Sequence, residues 1–116
     1  MSYKVEPNLS EAHPDQFLME QIQAQQAWAF EMLFERYAVY TRRHINSIVR
    51  DEPAAEDILQ ETFLRVWTRS GQWNGQGTFK SWLFRIATNL ALNHLRTRRR
   101  RIIPLFPILT MPVFST

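Results

Sequence analysis

Cysteine is absent from the 116 residues of this chain. Its absence excludes disulfides, cysteine-ligated zinc and thiol catalysis, and it fits a reducing compartment, so a cytoplasmic location is predicted. No apolar run approaches the roughly 20 residues that a membrane-spanning helix needs, and the first residues lack the basic-then-apolar order of a signal peptide. We therefore expect no membrane partner.

Acidic residues are missing from the second half of the chain. All eleven Asp and Glu residues, with five Lys and Arg residues, lie at or before Glu61, whereas nine basic residues and no acid occur from Thr62 onward. Such asymmetry indicates two different partners, and the basic half indicates a polyanion. A solvated basic helix is the alternative that charge alone leaves open.

Glycine is scarce, and all three glycines fall within residues 71–77, which predicts a loop there. Elsewhere apolar residues recur at three- and four-residue steps, which predicts amphipathic helices. We expect one helix from an Asp15 N-cap, one over 27–49, one over about 53–70 after a cap by Asp51 or Glu52, and one from a Thr78 cap to about residue 98.

These elements predict an all-α fold, a small bundle of about four helices. The domain is expected to span residues 15–101, after a flexible arm at 1–14 and before an irregular, apolar, proline-containing tail at 102–116. The predicted core residues of the second, third and fourth helices are Phe30, Leu33, Phe34, Tyr37, Ile45, Ile48, Leu59, Phe63, Val66, Trp67, Phe79, Trp82, Leu83, Ile86 and Leu90.

The residue types that support catalysis or metal binding are not grouped in this sequence. His13, His44 and His94 lie far apart, and none has a metal-ligating neighbour at i+3 or i+4. Residues 75–81 (GQGTFKS) slightly resemble a phosphate-binding loop, but the Gly-Lys-Ser/Thr run and a preceding strand are missing. We therefore expect no enzyme activity, no metal and no cofactor.

One face of the third predicted helix is polar and acidic. Asp57, Gln60, Glu61 and Leu64 recur at i, i+3, i+4 and i+7, and Thr68 continues the same face away from the apolar stripe. Such a face is either simply solvated or a docking surface for a basic partner helix, with Leu64 as a small apolar anchor.

The loop and the fourth helix carry the residue types that bind single-stranded nucleic acid: aromatic rings for stacking, amides for base edges and cations for phosphates. The candidates are Trp73, Asn74, Gln76, Lys80, Arg85, Asn89, Asn93 and Arg96. Phe79 and Trp82 lie at core spacing, whereas an exposed loop has little structural reason to carry Trp73. The basic run at 98–101 fits either phosphate binding or a solvated helix end.

Three segments resemble region 2 of the extracytoplasmic-function (group IV) sigma factors of the sigma-70 family. Residues 56–67, EDILQETFLRVW, are similar to the family pattern EDLxQETFLRxW. Residues 29–37 (AFEMLFERY) and 79–96 (FKSWLFRIATNLALNHLR) resemble the start and the last helix of the same domain. The segments occur in the right order and spacing, and the resemblance covers about residues 15–101.

This resemblance implies a bacterial transcription initiation factor that binds core RNA polymerase and recognises and melts the −10 promoter element. It assigns Asp57, Gln60, Glu61 and Leu64 to the surface that docks on the clamp helices of the polymerase β′ subunit. It assigns the loop at 71–77 to the capture of a flipped −10 base, and the fourth helix to the melted non-template strand. An anti-sigma factor is a further candidate partner, and the free protein is expected to be a monomer.

The sequence departs from the family pattern at two places. Primary sigma factors carry an aromatic pair that wedges the duplex open about where Arg85 and Ile86 stand here, which implies weaker melting and stricter promoter choice. Family members also continue into a second helical domain that reads the −35 element, and residues 102–116 do not resemble it. The chain is then either a truncated or frame-shifted product or a fragment.

Two alternatives to an initiation factor stay open from the sequence. One is a remnant that occupies polymerase or an anti-sigma factor without initiating transcription. The other is a generic basic nucleic-acid-binding bundle, for which the acidic face of the third helix would have no role.

Overall fold

The computed structural model of the chain describes residues 13–102, with side chains described through residue 99. These residues form four α-helices and no β-strand: α1 (Asp15–Gln23), α2 (Ala27–Val49), α3 (Glu52–Thr68) and α4 (Phe79–Ile102). A short 3-10 turn (Ser70–Gln72) follows α3. The predicted all-α bundle is confirmed. Apart from residues 13, 14 and 102, the arm and the tail expected at the two ends lie outside the described residues.

The end of α1 is a Schellman motif built without glycine. The Gln26 amide donates to the Gln21 carbonyl at 2.9 Å, and the Gln25 amide donates to the Ile22 carbonyl at 2.8 Å. Gln25 has a left-handed φ of 66°, a conformation that glycine usually supplies at this position. The motif ends α1 sharply, and α2 begins at Ala27 and packs against α1.

The starts of α3 and α4 are capped by two residues that the sequence predicted. Asp51 Oδ1 accepts a hydrogen bond from the Ala54 amide at 3.2 Å, and Thr78 Oγ1 accepts one from the Ser81 amide at 3.0 Å. Each bond satisfies a first-turn donor that has no partner within its own helix. The far ends differ from the prediction, since α3 stops at Thr68 and α4 continues to Ile102.

Asp15 does not cap α1, contrary to the prediction. Pro14 occupies the N-cap position, and the Asp15 carboxylate instead accepts hydrogen bonds from Arg36 Nη1 at 2.6 Å and from the Tyr37 hydroxyl. Burial, followed by the hydrogen bond to Asp15, raises the pKa of Tyr37 well above its ordinary value. These contacts fasten α1 to α2 because Asp15 gains two strong donors there.

Aromatic rings join α2 to α3. The buried ring of Phe63 meets Phe30 and Phe34 edge-on, with centroids 6.2 and 5.0 Å apart. Trp67 extends the cluster and lies 5.5 Å from Phe30, again edge-on. Edge-to-face pairs are favourable because the positive ring edge faces a negative ring face. This cluster fixes how α3 is rotated about its axis, and therefore which of its residues face outward.

α4 runs parallel to α2. Tyr37 of α2 contacts Phe79 at the start of α4, with centroids 5.5 Å apart, and His44, two turns later, bonds Thr88 at 2.7 Å. Among the α4 residues up to 99, the buried ones are Phe79, Leu83, Ala87 and Ala91. Of the residues predicted for its core stripe, Trp82, Ile86 and Leu90 lie at the edge and are only partly buried, because two alanines occupy the innermost positions.

Candidate functional site

The four predicted docking residues share one exposed face of α3. Asp57 and Gln60 are exposed, the Leu64 residue is 51% exposed, and Glu61 is half-buried and paired with Arg65 at 3.0 Å. This face lies opposite the buried Leu59, Phe63 and Val66. The structure therefore brings the predicted set together, and it leaves an isolated apolar side chain among polar and acidic neighbours.

Trp73 anchors the loop after α3 from inside the protein. It is only 7% exposed and belongs to the hydrophobic core. The prediction that it provides an exposed stacking platform for bases is therefore wrong. Its amide donates to the carbonyl of buried Ser70 at 3.1 Å, which joins the loop to the 3-10 turn. Burial is favoured because a tryptophan removes about 150–250 Å² of surface from water.

Gln23, at the C-terminal end of α1, is a functional candidate that the sequence reasoning missed. Its side-chain Nε2 donates to the backbone carbonyls of Ser70 at 2.8 Å and Trp73 at 3.0 Å. Both acceptors are carbonyl oxygens, so the amide nitrogen must face them. No sequence pattern could have identified Gln23, because its partners lie 47 and 50 residues away along the chain.

The tip of the loop presents two amide side chains to solvent. Asn74 and Gln76 are both exposed, and the Gln76 backbone amide donates to Asn74 Oδ1 at 3.0 Å. Gly75 and Gly77 adopt φ values of 83° and 72°, which L side chains rarely tolerate. The tip is therefore tightly folded. The side-chain amide of Gln76 is exposed to a ligand, whereas Asn74 Oδ1 already accepts one hydrogen bond.

Four candidate residues on α4 form a second exposed stripe. Arg85, Asn89, Asn93 and Arg96 follow one another at i, i+4, i+8 and i+11 and are all exposed. The Arg96 guanidinium donates to Asn93 Oδ1 at 3.3 Å. With a rise of 1.5 Å per residue, the stripe is about 16 Å long. Its two amides, with a cation at each end, suit a strand whose phosphates and base edges are both accessible.

Lys80 lies apart from that stripe, at the seam between α2 and α4. Its Nζ lies 5.9 Å from the centroid of Phe84, within the range of a cation–π contact. The Phe84 ring in turn lies 4.9 Å from the ring of His44. His44 Nε2 hydrogen-bonds Thr88 Oγ1 at 2.7 Å. His44 therefore contributes to the packing of α2 against α4.

The described residues hold no group of three or more His, Cys, Asp or Glu side chains placed to bind a metal ion. Among the same residues, no helix has both the length and the apolar character needed to cross a membrane.

The two candidate surfaces carry opposite charge. The α3 face holds Asp57 and Glu61, with exposed Glu56 beside it and Arg65 as a partial counter-charge. The loop and α4 contain only basic charged residues. Surfaces of opposite sign attract different partners, because each field raises the local concentration of the complementary charge. The chain therefore displays two separate surfaces of opposite charge.

Comparison with known proteins identifies a family that matches most of the described residues. Residues 33–101 match the Sigma-70 region 2 family model. The chain is 38% identical over 87 residues to the RNA polymerase sigma-H factor of Pseudomonas aeruginosa, covering 75% of this chain and 45% of that protein. It is 40% identical over 86 residues to the ECF RNA polymerase sigma factor BldN of Streptomyces coelicolor, covering 73% of this chain and 33% of that protein.

A solved structure supports the same assignment. An engineered region 2 of sigmaE, determined by NMR in complex with GTAAAA, matches with a TM-score of 0.70 and 31% identity, covering 76% of this chain and 92% of that one. The chain spans less than half the length of the two full-length relatives. Those relatives are named as sigma factors, which are initiation factors and not enzymes. On this evidence, the chain belongs to the sigma-70 family, in its extracytoplasmic-function group, and contains the region 2 domain.

Proposed function

We propose that this chain is the region 2 part of a bacterial RNA polymerase sigma factor. In this role it binds core polymerase through α3, and engages the −10 promoter element as single-stranded DNA through the loop and α4, in the cytoplasm. The observation that carries the proposal is the pairing, on one region 2 domain, of an exposed acidic face around Leu64 with a separate surface free of acids. An anti-sigma factor is a second candidate occupant of either surface.

Polymerase docking is assigned to Asp57, Gln60, Glu61 and Leu64, against the clamp helices of the β′ subunit. Leu64 is the central contact because an exposed leucine has apolar area to remove from water, about 25 cal/mol for each Å² buried. The carboxylates around it favour a basic partner helix and oppose an acidic one. A solvated face needs no such apolar residue at its centre.

DNA binding is assigned to the exposed residues of the basic surface. They are Asn74, Gln76, Lys80, Arg85, Asn89, Asn93 and Arg96. The sigmaE region 2 neighbour was solved with the oligonucleotide GTAAAA, which supports single-stranded DNA as the ligand class. Because Trp73 is buried, recognition by the loop depends on the amides of Asn74 and Gln76. Trp73 serves the loop as its anchor.

Strand opening is expected to be weak. Arg85 is exposed and Ile86 is partly buried, so neither position supplies the aromatic wedge of primary sigma factors. A base that leaves the stack costs a few kcal/mol, which contacts in a pocket must recover. Without a wedge, that recovery depends on the base taken by the loop. Promoters with an unsuitable base at that position should therefore open poorly.

Polymerase docking is tested by pull-down of core RNA polymerase at moderate salt, with the wild-type chain and the Leu64→Arg variant. Leu92→Arg is the matched control, because Leu92 is also exposed, at 42%, but lies on α4. We expect Leu64→Arg to abolish capture and Leu92→Arg to retain it. Equal capture by both variants, or no capture by the wild-type chain, would remove the polymerase assignment.

DNA binding is tested by fluorescence anisotropy with labelled GTAAAA as a single strand and as a duplex. We expect the wild-type chain to prefer the single strand. Substituting both Arg85 and Arg96 by alanine should reduce the salt dependence of binding, because fewer counterions are released per complex. A template-dependent transcription assay then separates an initiation factor from a remnant that only occupies polymerase.

A further inference from the structure

The loop that carries Asn74 and Gln76 has very little regular structure of its own. One hydrogen bond, from the Gln76 backbone amide to Asn74 Oδ1, stabilises its tip. The 3-10 turn at Ser70–Gln72 forms its start. The position of the loop on the domain must therefore come from other elements. Two contacts provide it, the burial of Trp73 and the side chain of Gln23.

The Gln23 side chain bonds the backbone at both ends of the turn that leads into the loop. One amide group donates to the carbonyl of Ser70 at 2.8 Å and to that of Trp73 at 3.0 Å. The Ser70 carbonyl oxygen also accepts a hydrogen bond from the Trp73 backbone amide at 3.1 Å. Both lone pairs of that oxygen are therefore used. The three bonds close a small ring around the entry to the loop. Asn74 follows directly after the second of these carbonyls.

The backbone around Gln23 gives this side chain a defined origin. Gln23 is the last residue of α1, immediately before the Schellman turn through Gln25. At the other end of α1, Asp15 bonds Arg36 and Tyr37 of α2. Both ends of α1 are therefore held in a defined conformation. A side chain that positions a binding loop needs such a rigid support.

We propose that Gln23 is the positioning residue for base selection, in that it sets the conformation in which Asn74 and Gln76 meet the captured base without itself touching DNA. This inference rests on the proposed function, because it concerns the same loop. α1 then serves the DNA surface, although it lies outside both the loop and α4. Loss of the Gln23 donors releases the loop entry and leaves the phosphate contacts of α4 in place.

The test uses three substitutions in the full chain. Gln23→Ala removes the donors, and Gln23→Glu replaces them with an isosteric acceptor that faces two carbonyl oxygens. Gln16→Glu is the matched charge control: Gln16 is exposed, and its Nε2 lies 4.0 Å from where a Cβ on Gly75 would stand. It brings a negative charge to the loop without removing a hydrogen bond.

The measurement is binding of single-stranded GTAAAA and its single-base variants at each position, by fluorescence anisotropy. For Gln23→Ala and Gln23→Glu we expect discrimination at one position to fall about tenfold, the size of one lost base contact. The salt dependence of binding should stay unchanged, and so should polymerase capture through α3. Gln16→Glu should weaken all the oligonucleotides equally. Amide hydrogen exchange at Gln72, Trp73 and Gln76 should accelerate only in the Gln23 variants.

The outcomes separate the two proposals. Wild-type discrimination that survives in both Gln23 variants would overturn the positioning role and leave DNA binding by the loop intact. Uniform weakening in the Gln23 variants, with discrimination retained, would reduce Gln23 to a structural contact and also overturn it. A wild-type chain that binds every oligonucleotide equally would overturn base recognition itself, and this inference with it.

Discussion

The exposed face of α3 and the loop that follows it are neighbours along the chain, but they are held in place by different interactions. On α3, Asp57, Gln60 and Leu64 point outward because Leu59 and Phe63 point inward. Their placement follows from the period of the helix. The loop has no such period, and its conformation depends on one buried ring and one glutamine from α1.

Substitutions are expected to affect the α3 face and the loop differently. A helical face survives substitution of any one of its members, because the backbone is maintained by its own hydrogen bonds and by the buried stripe behind it. The loop depends on Trp73 and Gln23, which lie outside its exposed tip. We therefore expect changes behind the loop to affect DNA recognition, while polymerase docking is sensitive mainly to the exposed residues of α3.

Trp73→Ala is expected to have the largest effect, a loss of stability together with a loss of the loop's anchor. Removing a buried aromatic ring typically lowers the free energy of unfolding by about 3–5 kcal/mol, and here it also removes the anchor of the loop. Urea unfolding followed by circular dichroism measures the loss. Trp28→Ala is the control, since Trp28 is 42% exposed, and it should cost much less. Equal losses for the two variants would contradict the anchoring role, and Trp73→Phe gives a milder version if the alanine variant does not fold.

Asp15→Asn tests whether α1 must be docked for the loop to work. The ion pair with Arg36 is only partly exposed, with side chains 25% and 20% accessible. The expected loss is about 1–2 kcal/mol, between the values for an exposed pair and a buried charged hydrogen bond. Base discrimination should fall and polymerase capture should persist. Glu20→Gln, an exposed change on the same helix, should alter neither.

The cluster of Asp15, Arg36 and Tyr37 makes the free energy of unfolding depend on pH in the alkaline range. Tyr37 keeps its proton to higher pH in the folded protein than in the unfolded chain, because burial and Asp15 raise its pKa. Above about pH 10 the unfolded chain therefore binds fewer protons, and the free energy of unfolding decreases as pH rises. Tyr37→Phe should flatten this decrease in urea titrations, whereas Tyr40→Phe, at an exposed tyrosine, should leave it unchanged.

Asp51→Ala tests whether the stability of α3 is independent of base recognition by the loop. Loss of the cap to Ala54 should lower the free energy of unfolding by about 1 kcal/mol without changing base discrimination. Asp57→Ala lies in the exposed middle of the same helix and should change stability by less than about 0.5 kcal/mol while weakening polymerase capture. The opposite pattern would mean that Asp57 has a structural role on α3.

The smallest effect is a gain, from Gln25→Gly. A left-handed backbone costs an L residue roughly 1–2 kcal/mol, and the extra freedom of glycine in the unfolded chain offsets part of that. The net stabilisation should be about 0.5 kcal/mol, visible in thermal unfolding. Gln26→Gly is the control, because Gln26 has an extended φ of −91° and gains no relief. A loss in both variants would contradict the strain argument.

Much of the molecule was predictable from the sequence because the relevant interactions are local. The helix periods, the caps by Asp51 and Thr78, and the outward placement of Leu64 all depend on residues within one or two turns of each other. The predicted stripe of α4 was less accurate, since Ala87 and Ala91 are innermost. Alanine gives a weak apolar signal in sequence, but it allows helices to approach closely.

What only the tertiary structure decided is how the two surfaces are supported. By itself, the sequence determined the all-α class, the division of charge along the chain and the composition of the exposed α3 face. It placed Trp73 on the surface and Asp15 in a cap, and the fold reversed both assignments. The physical reason is distance along the chain: a loop or a lone carboxylate takes whichever partner packing brings near, and Gln23 meets Ser70 and Trp73 only after α1, α2 and α3 have assembled.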